Sequence, residues 1–285
     1  MNQFLRKTHL SVVLAGLLCG CSSFEPASPS STVQANANTF QAIAAQEVAV
    51  PSRTEAEGQL QVPATLHKPG GDGPFPALVF LVGSEGVADP APPVAKQHAQ
   101  WIDRLVGWGY VVLVVDSFTP RGMSVTPDMR SLDSYAAKTY LSTLPFVDRN
   151  KVGVIGWSHG GWTIMTIIDA FHREKTVSPF RVAVAFYPRC HPLVNPDTPV
   201  LVLIGRKDQQ VRPDLAESLA RDYRSSNWKQ EFSLTVYPNA THGFDIEGFE
   251  GGFDFAGSHM EYDPTATDDA IGRTQDFLAK YLRAK

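Results

Sequence analysis

Cysteine is scarce in this chain, with three in 285 residues, at Cys19, Cys21 and Cys190. That scarcity excludes a disulfide framework, and with no paired-cysteine motif and no H-E-x-x-H run, no metal site is expected. A run of Lys and Arg is also missing. The 25 basic residues face 29 acidic ones for a net charge of −4, which leaves no electrostatic footprint for nucleic acid. Long apolar runs are absent too, and the stretch Leu10 to Leu18 is too short to span a bilayer. What the chain does have is 43% hydrophobic residues, enough for one large core or two small ones.

The opening residues, "MNQFLRKTHLSVVLAGLLCGC", set Arg6 and Lys7 before that short apolar stretch, in the order of an export signal. Leu18, Cys19, Gly20 and Cys21 resemble the bacterial lipobox, in which the last cysteine becomes the lipidated first residue of the mature protein. Residues 1–20 are therefore expected to leave as a signal peptide, and with Arg6 and Lys7 gone −4 becomes −6. Residues 21–56, rich in Ser, Pro, Ala, Asn and Gln, are expected to form a flexible lipidated tether. The implied location is the bacterial cell envelope, lipid-anchored at Cys21 and facing the periplasm or exterior. Ordinary secretion without lipid is the alternative. Cys190 keeps no intramolecular partner and reads as a buried small side chain.

From residue 57 to the C-terminus the pattern alternates between short β-branched runs and longer helical periods. Residues 59–69, 77–83, 110–116, 151–157, 181–188, 199–205 and 232–238 read as strands. Residues 95–108, 132–144, 161–171, 214–225 and 267–282 read as helices. Strands alternating with helices predict one α/β domain with a mostly parallel, doubly wound sheet. Between the last strand and last helix, "GFEGGFDFAGSHMEY" carries Phe249, Phe253 and Phe255 among glycines. It reads either as an apolar wall over a site or as a surface loop packing its own rings.

Within "KVGVIGWSHGGWTIM", Gly156, Ser158 and Gly160 fit G-x-S-x-G, in which a strand breaks sharply into a helix with serine at the apex. So tight a turn strains the serine backbone and leaves room only for hydrogen beside it. A serine hydroxyl is a weak nucleophile at neutral pH and needs a base, itself oriented by an acid. In this fold the chain order is Ser, acid, His. Asp208 in "GRKDQQV" follows one late strand and His242 in "NATHGFD" follows the next, so both are expected at the sheet edge that carries Ser158. The backbone N–H of His159, at the helix N-terminus, is the expected first oxyanion donor, with its ring turned away. Ser84 N–H, in "GSEG" after the 77–83 strand, is the expected second, with Glu85 one residue on as the alternative.

Gly83 to Gly86, "VLVVDSFTPRG", "GWSHGG", "FYPRC", "GRKD" and "THGFD" together resemble the dienelactone hydrolase family from about residue 57 to the C-terminus. The resemblance implies the α/β-hydrolase fold and hydrolysis of an ester or lactone, with no cofactor. Ser158 takes the nucleophile position, which is cysteine in the family's best-known members, and Asp208 and His242 match the acid and base. Arg121 matches an arginine that in those members helps hold a substrate carboxylate; the alternative is that it tethers its own loop. Its partner arginine, four residues after the histidine, is replaced by Ile246. A glutamate that gates the cysteine there maps to Glu85, a role a serine nucleophile does not need.

The reading is a serine hydrolase that cleaves a small carboxylic ester or lactone through an acyl-enzyme. A noncatalytic envelope lipoprotein binding a small ligand in the same cleft, or a peptidase of related fold, are the alternatives. The sequence leaves the oligomeric state open.

Overall fold

The computed structural model describes residues 44–54, 58–170, 177–255 and 257–283, so the signal segment, Cys21 and the tether up to residue 43 lie outside the described residues. Eight strands form one sheet: β1 (Gln46–Thr54), β2 (Gly58–His67), β3 (Phe75–Leu81), β4 (Val111–Val115), β5 (Val147–Trp157), β6 (Ala183–Phe186), β7 (Val200–Gly205) and β8 (Phe232–Tyr237). Their spatial order is β1-β2-β4-β3-β5-β6-β7-β8. The two pairings that involve β2 are antiparallel and the remaining five are parallel. The expected mostly parallel α/β sheet is what forms.

The reason lies in the strands' composition. β4, VVLVV, and β7, VLVLIG, are buried at every position, as strands covered on both faces must be. Among the described residues five α-helices flank the sheet: α1 (Pro92–Gly107), α2 (Pro127–Thr143), α3 (His159–Ile167), α4 (Pro213–Ser225) and α5 (Pro264–Leu282). Each starts with proline or, in α3, directly after the elbow serine. Proline suits the first helical turn because its missing N–H would have no intrahelical partner there. Among the described residues no helix is long and apolar enough to cross a membrane.

Two boundaries differ from the sequence reading. The tether does not reach residue 56, because Gln46–Thr54 pairs with β2 along its length as an edge strand. An edge strand needs few apolar residues, and here Val50 and Ser52 are the buried ones, so its composition imitates a linker. The segment after β8 is not plain loop either. It folds β9 (Phe253–Phe255) against β10 (Ser258–Met260) as a separate two-stranded antiparallel ribbon. Cys190 is buried, and burial pushes its thiol up to about 12, so it is a packing residue.

Candidate active site

Three loops at the C-terminal ends of parallel strands bring the site together. β5 ends at Trp157, and Ser158 sits at φ 49° and ψ −111°, a conformation that costs a non-glycine residue about 1–3 kcal/mol. The neighbouring backbone explains why it holds. A Cβ on Gly160 would overlap the Leu81 carbonyl, one on Gly156 would lie 2.8 Å from Gly160, and one on Gly161 would lie 2.8 Å from the Phe186 carbonyl oxygen. The elbow is therefore pressed between β3 and β6, and only hydrogen fits.

Asp208 follows β7 and His242 follows β8, as the chain order requires. His242 Nδ1 lies 2.8 Å from Asp208 Oδ2, and His242 Nε2 lies 2.9 Å from Ser158 Oγ. Asp208 is fixed from its other oxygen, which accepts the N–H groups of Gln210 at 2.8 Å and Val211 at 3.0 Å. Both side chains are buried. An imidazole so placed can take the proton from Oγ while the carboxylate holds its tautomer.

His159 turns its ring away from the cavity. Its Nδ1 accepts from Arg130 Nη1 at 2.9 Å, and burial together with that cation pushes its pKa down to about 4. Its N–H is the first of α3 and has no acceptor within the helix. Arg130 is fully buried on α2, and its Nη2 donates to the Val82 carbonyl at 2.8 Å, with the guanidinium 4.8 Å above the Phe118 ring. One cation thus ties the elbow to the strand end that leads into "GSEG". Ser84 and Glu85 line the cavity with Ser158. Glu85 Oε1 accepts from Gly83 N–H at 2.9 Å and lies 3.2 Å from His98 Nε2. Burial opposes its charge, but these partners prevail and hold its carboxyl below the usual range.

On the far side of His242, the Tyr187 ring lies 4.5 Å away between centroids. Its hydroxyl donates to Asp245 Oδ1 at 2.8 Å and accepts from Gln97 at 3.1 Å. Asp245 Oδ2 accepts from both Trp101 Nε1 at 2.9 Å and Trp157 Nε1 at 3.0 Å. A buried carboxylate held by three neutral donors thus fixes the ring wall behind the histidine.

Arg121 is a correction to the sequence reading. Its Nη1 and Nη2 donate to the two oxygens of buried Asp133 at 2.8 and 3.1 Å, and Nη1 also donates to the Ser117 carbonyl at 3.3 Å. Ser52 of β1 donates to the same carboxylate at 2.6 Å. Arg121 is absent from the cavity lining; it ties its own loop to α2 instead of reaching a substrate. Ile246, at the position of the family's second arginine, lines the cavity as a buried apolar side chain.

The cavity in front of Ser158 and His242 holds about 570 Å³. Its walls are mostly apolar, with Trp157, Tyr187, Ile246, Phe249, Phe253 and Met260 prominent, and no Lys or Arg is among the described residues that line it.

Sequence reasoning singled out Ser158, Asp208 and His242, which the structure brings within hydrogen-bond reach of one another, but missed Arg130, Tyr187, Asp245 and the Glu85–His98 pair. Arg130 had no signal, because a polar residue within a helix reads as solvated until the packing is known. Asp245 stands inside the "THGFD" motif, but its three donors come from β5, α1 and the loop after β6.

A model of the dienelactone hydrolase family matches residues 62–282. Among solved structures the fold is similar to a candidate dienelactone hydrolase from Klebsiella pneumoniae, at 21% identity and a TM-score of 0.65, covering 85% of this chain and 100% of that one. It is also similar to Thermogutta terrifontis esterase 2 phosphorylated by paraoxon, at 18% identity and a TM-score of 0.62, covering 85% of this chain and 96% of that one. A dienelactone hydrolase-like promiscuous phosphotriesterase, P91, from metagenomic libraries gives 20% identity and a TM-score of 0.62, covering 84% of this chain and 99% of that one. No curated protein matches the sequence.

Proposed function

The chain belongs to the dienelactone hydrolase family and is a carboxylic ester hydrolase, and from that premise we propose that it cleaves a small neutral ester or lactone through a serine acyl-enzyme. In this mechanism His242 Nε2 takes the Oγ proton as Ser158 attacks the substrate carbonyl carbon. The charge that develops on the carbonyl oxygen is met by the N–H groups of His159 and Ser84. Collapse breaks the ester C–O bond, and His242 returns the proton to the leaving alkoxide. A water molecule then gives a proton to His242 and attacks the acyl carbon, which frees the acid and restores the Ser158 hydroxyl.

The observation that carries this reading is the chain of hydrogen bonds from Asp208 through His242 to Ser158, at 2.8 and 2.9 Å, opening into one cavity. Neutrality of the substrate is supported by the missing cations: Arg121 is paired with Asp133 and Ile246 is apolar. The phosphorylation of the Thermogutta esterase by paraoxon supports using an organophosphorus probe. A fluorophosphonate should label Ser158, located by peptide mass spectrometry, and abolish ester turnover in proportion. Turnover that survives full labelling, or a chain that takes up no label, would favour a ligand-binding protein instead.

We further infer from the lipobox that Cys21 carries lipid and holds the enzyme to the bacterial envelope. Cys21→Ser should move the protein from the membrane fraction to the soluble one and end incorporation of radiolabelled fatty acid. Continued membrane fractionation would refute the anchor.

A further inference from the structure

Five large apolar side chains are exposed among the described residues, and three of them, Met123, Phe253 and Phe255, line the cavity in front of Ser158. The clustering is the informative feature, since apolar residues scattered singly over a surface need no explanation. Phe253 and Phe255 are alternate residues of β9, so they share one face of the ribbon, while Asp254 between them pairs with His259 of β10. The exposed rings continue an apolar surface that begins deeper. Phe253 meets Phe249 edge to face at 4.4 Å, and Phe249 packs with Ile246 and Met260 in a small cluster apart from the main core. Met123 is 76% exposed on a short turn (Gly122–Ser124) and extends the mouth. Its turn directly follows Arg121, which the Asp133 pair holds in place.

Charge on the cavity wall comes from Glu85 and Glu250, with no opposing cation among the described lining residues. The wall therefore disfavours an anionic tail and offers a mostly apolar track from the nucleophile to the mouth. Water on such a track is displaced favourably by hydrocarbon, by about two- to fourfold in affinity for each methylene that becomes covered.

We propose that this track is a subsite for an extended aliphatic or aromatic chain, making the preferred substrate an uncharged ester with a medium to long acyl or alkoxy chain. The proposal rests on the serine-hydrolase reading of the site and specifies its substrate class. Short, compact esters then cover only the Trp157 and Tyr187 end, and longer ones reach Phe249 and afterwards the β9 rings.

The test is a series of p-nitrophenyl esters from acetate to decanoate, assayed with the full-length chain below each ester's aggregation concentration. kcat/KM should rise by about twofold or more per added methylene through at least octanoate. In Phe253→Ser/Phe255→Ser, the octanoate-to-acetate ratio of kcat/KM should fall about fivefold or more, with the melting temperature checking that the fold is kept. A wild-type ratio that peaks at acetate or butyrate, together with fluorophosphonate labelling of Ser158, overturns the subsite and leaves the serine mechanism standing. A ratio unchanged in the double variant also overturns it. No turnover of any ester and no labelling overturns the mechanism beneath it.

Discussion

Behind Ser158 the site is built from strand ends and buried polar groups that bind one another, whereas in front of it Phe253 and Phe255 present rings to solvent over a small cluster of Ile246, Phe249 and Met260. Arg130, His159 and Val82 form one knot on the first side, and Asp245 with Trp101, Trp157 and Tyr187 forms another. The front rests on Ile246, Phe249 and Met260, with Phe253 and Phe255 partly in water. Catalysis needs groups held to fractions of an ångström, and buried, hydrogen-bonded polar networks supply that rigidity. Accommodation of varied chains needs only apolar area, which tolerates looser packing. On the proposed function, the contrast puts chemistry on one side of the cavity and selectivity on the other.

The largest effect expected on the chemical side is from Ser158→Ala. It should leave the melting temperature near that of the parent, because alanine keeps the Cβ and the same backbone conformation, while kcat falls by about 10⁴ to 10⁶. Wild-type-like turnover would place the nucleophile elsewhere. Asp208→Asn should lower kcat by about 10³ to 10⁴, since the amide favours the wrong imidazole tautomer at His242 Nδ1. A steady-state assay showing less than a tenfold loss would mean that another acid orients the histidine.

A smaller effect should follow from Arg130→Met, which fills similar space but unties Val82 from His159. Loss of the tie would displace the two proposed oxyanion donors relative to each other, so kcat should fall about 10- to 100-fold with KM changed about threefold or less. A rise in KM for this variant as large as its loss in kcat, or a comparable loss in kcat on acetate for the β9 variant, would erase the division of labour between the two sides. The smallest effect is one of pH on stability. His159 is held neutral in the fold, at about 4 against 6.5 unfolded, so between those values the unfolded chain binds more protons. This contribution is therefore complete above pH 6.5 and is lost as pH falls towards 4. Melting curves should show a steeper decline over that interval in the parent than in His159→Gln. Parallel curves would mean that His159 carries no such linkage.

The elbow, the acid and the base were legible because each is bound to local pattern: glycines where backbones touch, and loops directly after buried β-branched strands. The parallel sheet was legible for the same reason. β1 was not, because an edge strand with one buried face needs little hydrophobicity, and Gln46, Glu47 and Arg53 look like linker. β9 and β10 were hidden by their shortness and by the glycines around them. Arg121 was misassigned to substrate because its partner, Asp133, is twelve positions away on α2, where an aspartate reads as solvated. Contacts of that kind depend on how helices dock, and no window of sequence contains them.

The Arg121–Asp133 pair has a consequence for evolutionary change at this site. Restoring a carboxylate clamp by Ile246→Arg alone would insert a cation into an apolar wall while the existing arginine stays neutralised by its aspartate. Freeing Arg121 by changing Asp133 would also take away the acceptor of Ser52, and so loosen β1. Each step is expected to be harmful without the other, which would make the two substitutions epistatic.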